Sequence, residues 1–87
     1  MGVTVEKLKQ QEEQNIVGSV IQCCHGICVV IETTTCGIKV MKLDCKQYNN
    51  TKHKLGRRNK ITLLDRITIK KKYPERWKWL AERYLIG

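Results

Sequence analysis

Gly26 and Gly37 divide the stretch from Ile16 to Cys45 into three short runs rich in β-branched residues, and this spacing most limits the fold. Ile16 to Cys24 ends at Cys24-His25-Gly26, where the glycine can take a turn conformation. Ile27 to Thr35 carries Val29, Val30, Ile31 and three consecutive threonines, side chains that lose freedom in a helix but suit a strand. The pattern predicts a hairpin closing near His25-Gly26, a second turn at Cys36-Gly37, and a third strand over Gly37 to Cys45 with imperfect alternation.

With 87 residues the chain makes one small domain. A domain of this size buries only ~60–65% of the surface its unfolded form exposes, so a two-domain enzyme with an interdomain cleft is excluded. The apolar runs Ile27 to Ile31 and Leu80 to Ala81 fall far below the ~18 residues that a membrane span needs. Residues 1–15 are rich in Glu, Gln and Lys and read as a polar N-terminal arm or short helix ahead of the domain at 16–87. They carry no apolar signal and are too acidic for an Arg-rich transit peptide; Glu6 stands where a myristoylation motif needs Ser or Thr.

Charge carries the functional signal. The net charge is +9, but between Lys39 and Lys72 twelve cations meet only Asp44 and Asp65, and the rest of the chain is close to neutral. One concentrated basic segment on a neutral framework points to a polyanion, with phosphate the usual counterpart. Lys46 to Lys60 has no apolar period and reads as a long loop, the kind that is usually functional in a compact domain. Within it Lys52, His53, Lys54, Arg57, Arg58 and Lys60 lie together; the lysines suit diffuse phosphate contact and the arginines can grip bidentately. Ile61 to Lys72 then alternates most cleanly. Ile61, Leu63, Ile67 and Ile69 fall on one face and Arg66, Thr68 and Lys70 on the other, predicting a strand with one packed and one basic face.

The last segment reads two ways. Trp77, Leu80, Ala81, Tyr84 and Leu85 follow a helical period with Pro74 in the first turn, while Trp77, Trp79 and Ala81 also alternate. Period favours the helix. The two tryptophans are expected in the core rather than as a base-stacking platform, since there is no Phe and little other aromatic mass.

Catalysis has little to work with. His25 and His53 lie in predicted turn or loop positions without a nearby Ser or carboxylate motif, and no Gly-x-x-x-x-Gly-Lys occurs. No enzymatic activity or cofactor is expected. Cys23, Cys24, Cys28, Cys36 and Cys45 are odd in number with two adjacent, a poor disulfide framework that points to a reducing intracellular compartment. Cys24, Cys28, Cys45 and His53 could be assembled into a zinc set, but the spacing lacks paired Cys-x2-Cys knuckles, so no metal is expected and the thiols read as buried apolar residues in strands.

A short β-rich chain with a long basic loop before its penultimate element fits a five-stranded OB-type barrel. Ile16-Val17-Gly18-Ser19-Val20-Ile21 with Ile27-Cys28-Val29-Val30-Ile31 resembles the opening hairpin of the S-seventeen family of small-subunit ribosomal proteins. Lys46-Gln47-Tyr48, Asn59 through Ile69, and Arg76-Trp77-Lys78-Trp79-Leu80 are similar to later elements of that family. The sequence departs from it at Leu64, at Cys23-Cys24-His25-Gly26, and after Tyr48, where an Ala-His-Asp triplet is missing. Such drift fits a divergent, organellar (mitochondrial) member. The resemblance implies an OB barrel held on small-subunit rRNA beside neighbouring ribosomal proteins, with no catalysis and no membrane, and a strand at the start of the last segment. Lys54 to Ile61 is also similar to a basic element of initiation factor one, a dissociable relative. The expected RNA-contacting residues are Lys46, Lys52, Lys54, Arg57, Arg58, Lys60, Arg66, Lys70, Lys71, Lys72, Arg76 and Lys78. A protein-interaction module is the reading from another class, and it predicts binding with little salt dependence.

Overall fold

Position 26 favours glycine for two reasons. Its φ of 100° lies in the left-handed region, and a Cβ there would come within 2.8 Å of Asp44 Oδ2. This residue opens β3 (Gly26–Thr34) after a two-residue turn from β2 (Val20–Cys23), with Cys23 opposite Gly26 and Val20 opposite Val29. The computed structural model describes residues 2–11, 16–44 and 52–84. A second turn at Thr35-Cys36 leads to β4 (Gly37–Lys42), which pairs with β3 across a register shift between Val30 and Glu32. The two hairpin turns and three strands therefore form, but the run from Ile16 is strand only over Val20–Cys23, and β4 ends at Lys42.

Inside the expected loop, His53–Gly56 forms a strand, β5, that adds to β4 with Ile38 opposite Leu55. The reading as loop fails here because β5 offers one apolar residue, Leu55, and no period; pairing with β4 defines it. Residues 46–51 of that loop, Lys46 among them, lie outside the described residues. After a turn at 57–59 comes β6 (Lys60–Leu63), which pairs with β2 and with β1 (Gly2–Thr4). Among the described residues the strand order is β1-β6-β2-β3-β4-β5, antiparallel throughout.

This order forces curvature. β5 and β6 stand four strand spacings apart, about 19 Å across a flat sheet. The chain from Gly56 to Lys60 can reach only ~14 Å, so the sheet curls. The N-terminus bridges the curl. In helix α1 (Val5–Gln11), Val5 N donates to Asn59 O at 2.9 Å and Glu6 N to Arg57 O at 3.0 Å, which occupies two donors that a helix start leaves open. The segment expected to be a polar arm is thus built into the sheet. Val5 and Leu8, one turn apart, are fully buried; two apolar positions among Glu, Lys and Gln were too few to show as a pattern.

Strands β2 to β4 are covered on both sides. Ile21, Cys28, Val30, Ile38 and Val40 pack with Val5, Leu8, Leu55 and Ile61. Val20, Val29, Ile31, Met41 and Leu43 pack with Ile69, Trp77 and Leu80 from the two C-terminal helices. The unbroken apolar run Ile27 to Ile31 is that of a strand buried on both faces.

The strand predicted over Ile61 to Lys72 stops at Leu63, and Arg66–Lys72 is a helix, α2. Asp65 decides this. Its carboxylate accepts from Thr68 N at 3.3 Å and from the Thr68 hydroxyl, an N-cap that starts the helix and overrides the alternation. Arg66, Thr68 and Lys70 therefore do not form a basic strand face, and Ile67 is exposed rather than packed. Pro74–Tyr84 forms α3 with Pro74 as its first residue, as the period predicts and in place of the strand implied by the resemblance. The chain is mostly β with short helices. Its sheet has six strands rather than five, and no pairing between β1 and β5 closes it among the described residues.

The cap also has a pH signature. Hydrogen bonds from the Thr68 hydroxyl and amide hold the Asp65 carboxyl below its ordinary value. A lowered carboxylate contributes stability that is complete above the unfolded value of about 3.9 and is lost as pH falls through the folded value. Amide-exchange protection of Ile69 is expected to fall over that acid range. In Asp65→Ala it should be weak at every pH; protection equal to that of the parent chain would contradict the capping role.

Candidate nucleic-acid interface

The link between β5 and β6 is a tight turn held by its own side chains. Asn59 N donates to Gly56 O at 3.1 Å, and Asn59 Oδ1 accepts from Gly56 N at 3.0 Å. Arg57 reaches the neighbouring β3–β4 turn, donating from Nε and Nη2 to Thr35 O at 3.2 and 2.6 Å. Lys9 Nζ from α1 donates to the adjacent carbonyl, Thr34 O. Two turns and one helix thus meet at this end of the sheet. Between them lies a shallow depression of about 490 Å³ lined by Cys36, Gly56, Arg57, Arg58 and Asn59. Arg57 and Arg58 are exposed on its rim, and Lys54 of β5 and Lys60 of β6, on the strands that the turn joins, are exposed as well. Among the described residues one ion pair forms, Lys39 to Glu32 at 3.7 Å, so none of these four is neutralised by a described carboxylate.

The remaining cations lie elsewhere. Lys52 is exposed at the far end of β5, its Nζ 5.2 Å from the centre of the Tyr84 ring. Arg66, Lys70, Lys71 and Lys72 are exposed on α2 and Lys78 on α3. Arg66 and Lys70 lie over the Trp77 ring at 5.4 and 6.0 Å, and Lys72 over Tyr73 at 5.6 Å. The single basic segment of the sequence is therefore divided in the fold, with Lys60 at the start of β6 and the α2 cations after its end, a strand of about 13 Å.

Arg76 belongs to neither. It is only 4% exposed, its Nε donates to Lys42 O at 3.0 Å, and its guanidinium lies 4.7 Å from the Trp79 ring centre. It ties α3 to the end of β4 and cannot reach a phosphate in this position. Sequence alone gave no sign of this, because a buried arginine and an exposed one look alike in a basic chain. Trp77 is 3% exposed and packs in the core as expected.

The fold also brings together residues with no local signal. His25, in the β2–β3 turn, stacks on His53 of β5 with ring centres 4.1 Å apart and planes 18° from parallel. Burial, then the His25 ring and the Lys42 ammonium, hold the His53 pKa below its ordinary 6.5. For a base lowered in this way, the stabilising contribution is complete above the unfolded value and is lost as pH falls through the folded one. The urea midpoint is expected to drop as the pH falls from neutral through the unfolded value of about 6.5 and below, and His53→Gln should drop less. An equal drop in both proteins would contradict the assignment.

Cys28 is fully buried on the α1 side, with Cys23 Sγ 3.7 Å away; burial, with Cys23 beside it, pushes the Cys28 thiol pKa strongly up. Cys24 and Cys36 are exposed, so the reading of the thiols as buried apolar residues fits Cys28, and in part Cys23, but not those two. Cys45 lies outside the described residues. Among the described residues no three His, Cys, Asp or Glu side chains converge in a way that could hold a metal ion, and no helix is long and apolar enough to cross a membrane. No family model, curated protein or solved structure matches the chain.

Proposed function

We propose that this protein binds the phosphates of structured RNA through the β5–β6 turn, as a structural component of a small ribosomal subunit. The observation that carries this reading is the exposed group Lys54, Arg57, Arg58 and Lys60 on and beside a turn fixed by Asn59, with no described carboxylate paired to any of them. A pre-shaped cationic turn loses little conformational freedom on meeting a phosphate chain, and the curled sheet beneath holds its geometry. The second patch on α2 and α3 extends the positive field and speeds encounter. The choice of ribosomal RNA rests on the resemblance of the two hairpin strands and the Asn59 to Ile69 segment to the S-seventeen family. An organellar ribosome is the setting its divergence favours.

Four phosphate contacts predict that log K falls against log salt with a slope of about −3 to −4. Titration of a labelled small-subunit rRNA fragment over a salt series tests this; a slope near zero would instead indicate a protein-interaction module. The turn is also the segment similar to initiation factor one. Sedimentation with small subunits after a high-salt wash separates a resident protein, which stays, from a dissociable factor, which leaves.

A further inference from the structure

We propose that the groove between α2 and α3 docks an acidic amphipathic helix of a protein partner. The groove holds about 640 Å³, and its apolar lining is Ile67, Pro74, Trp77 and Ala81, with Trp77 buried at the base and Ile67 and Pro74 exposed. Lys70 and Lys71 stand on the α2 wall and Lys78 on the α3 wall. Ile67 is 66% exposed, more than any other large apolar side chain among the described residues. None of the three lysines forms an ion pair with a described carboxylate. This surface shares no lining residue with the depression at the β5–β6 turn, so a helix can dock here whether or not RNA binds there.

The lining identifies the occupant. Cations on both walls flank the apolar residues, which is the complement of a helix whose apolar stripe is bordered on both sides by Asp or Glu. The size suits two or three aliphatic side chains. A nucleobase fits poorly. The polar side-chain atoms of the lining are donors only, the lysine ammoniums and the buried Trp77 Nε1, so base edges find no side-chain acceptor, and the Trp77 ring is 3% exposed with Arg66 and Lys70 over it. A bilayer fits poorly too. Surface-binding helices present a broad convex apolar stripe, and here only Ile67 and Pro74 stand exposed, while Trp77 is buried and Ala81 half-buried between the two helices.

The test uses the full chain and a fluorescein-labelled synthetic helix of ~14 residues, with leucines at i, i+3, i+4 and i+7 bordered by glutamates. Two control peptides carry serine for leucine or lysine for glutamate. Anisotropy is expected to show the acidic amphipathic peptide binding at least about tenfold more tightly than either control. Ile67→Ser should weaken it by about tenfold, the loss of one buried aliphatic side chain, while RNA affinity stays the same because no charge changes. Lys71→Glu should weaken the acidic peptide and strengthen the lysine peptide, a reversal that unfolding cannot produce. Equal binding of all three peptides, no binding of the acidic one, or no effect of Ile67→Ser would overturn the proposal. So would a matching loss of RNA affinity in Ile67→Ser, which would make the groove an RNA subsite. Phosphatidylserine vesicle binding that depends on Ile67 would assign it to lipid and overturn it as well.

Discussion

Gly37→Ala is expected to detach β5 and lower stability by about 2–5 kcal/mol, the range for losing a buried leucine contact. A Cβ at Gly37 would overlap the Leu55 carbonyl oxygen, approach its carbonyl carbon to 2.9 Å and come within 3.1 Å of Gly56 Cα. All three are backbone atoms in a paired strand, so no side-chain rotation relieves the overlap. Gly37 stands opposite Gly56, and Ile38 opposite Leu55, so the displaced register is the one that buries Leu55 at 2% exposure. Small domains retain only ~5–15 kcal/mol in total, so the loss should appear as a large shift of the urea midpoint. Gly56→Ala is the control. Its Cβ would meet only Asn59 Oδ1 at 3.3 Å, the end of a side chain that can give, so its midpoint should move little. If Gly37→Ala and Gly56→Ala melt alike, the close approach of β4 and β5 is not what holds that edge.

The same strand shows where reading the sequence stops. The turns at Gly26 and Gly37 and the strands around them were legible because β-branched runs and glycine are local signals. The helix over Pro74–Tyr84 was legible from its period, with Trp77 and Leu80 buried as the stripe requires. β5 was not legible: His53-Lys54-Leu55-Gly56 has one apolar residue, and only the partner strand makes it a strand. At Asp65 the opposite happened. Alternation pointed to a strand, but one cap at the N-terminus of α2 outweighed it. Of the expected cationic site, the cluster in the β5–β6 turn was visible as composition. Its division into two patches was not, because this depends on β6 running between them. Nor was the loss of Arg76 to the core, which follows from where Lys42 O lies. The histidine stack had no sequence signal at all; it needs the register that sets Val40 opposite His53.

Replacing both Arg57 and Arg58 with alanine is expected to weaken RNA binding by about 25- to 60-fold at 0.1 M salt and to flatten the salt slope by about 1.4 to 1.8. The arithmetic follows from counterion release: each lost phosphate contact removes about 0.7 to 0.9 from the slope, which at 0.1 M is a factor of roughly five to eight. The two arginines separate charge from architecture. Arg58 makes no hydrogen bond or ion pair with a described residue, so Arg58→Ala should change the slope and leave the melting temperature in place. Arg57 also donates twice to Thr35 O, so Arg57→Ala should cost a little stability as well, because it unties the turn from its neighbour. Arg83→Ala, exposed on α3 against the other face of the sheet, is the control that must leave the slope untouched. Arg76→Ala should lower stability through the lost tie to Lys42 O, yet keep the slope of the folded protein unchanged. The double variant alone cannot distinguish a phosphate grip from a general loss of positive charge, but the set can. If Arg83→Ala and Arg58→Ala flatten the slope equally, the field of the whole protein attracts the RNA and the β5–β6 turn has no special part in holding it.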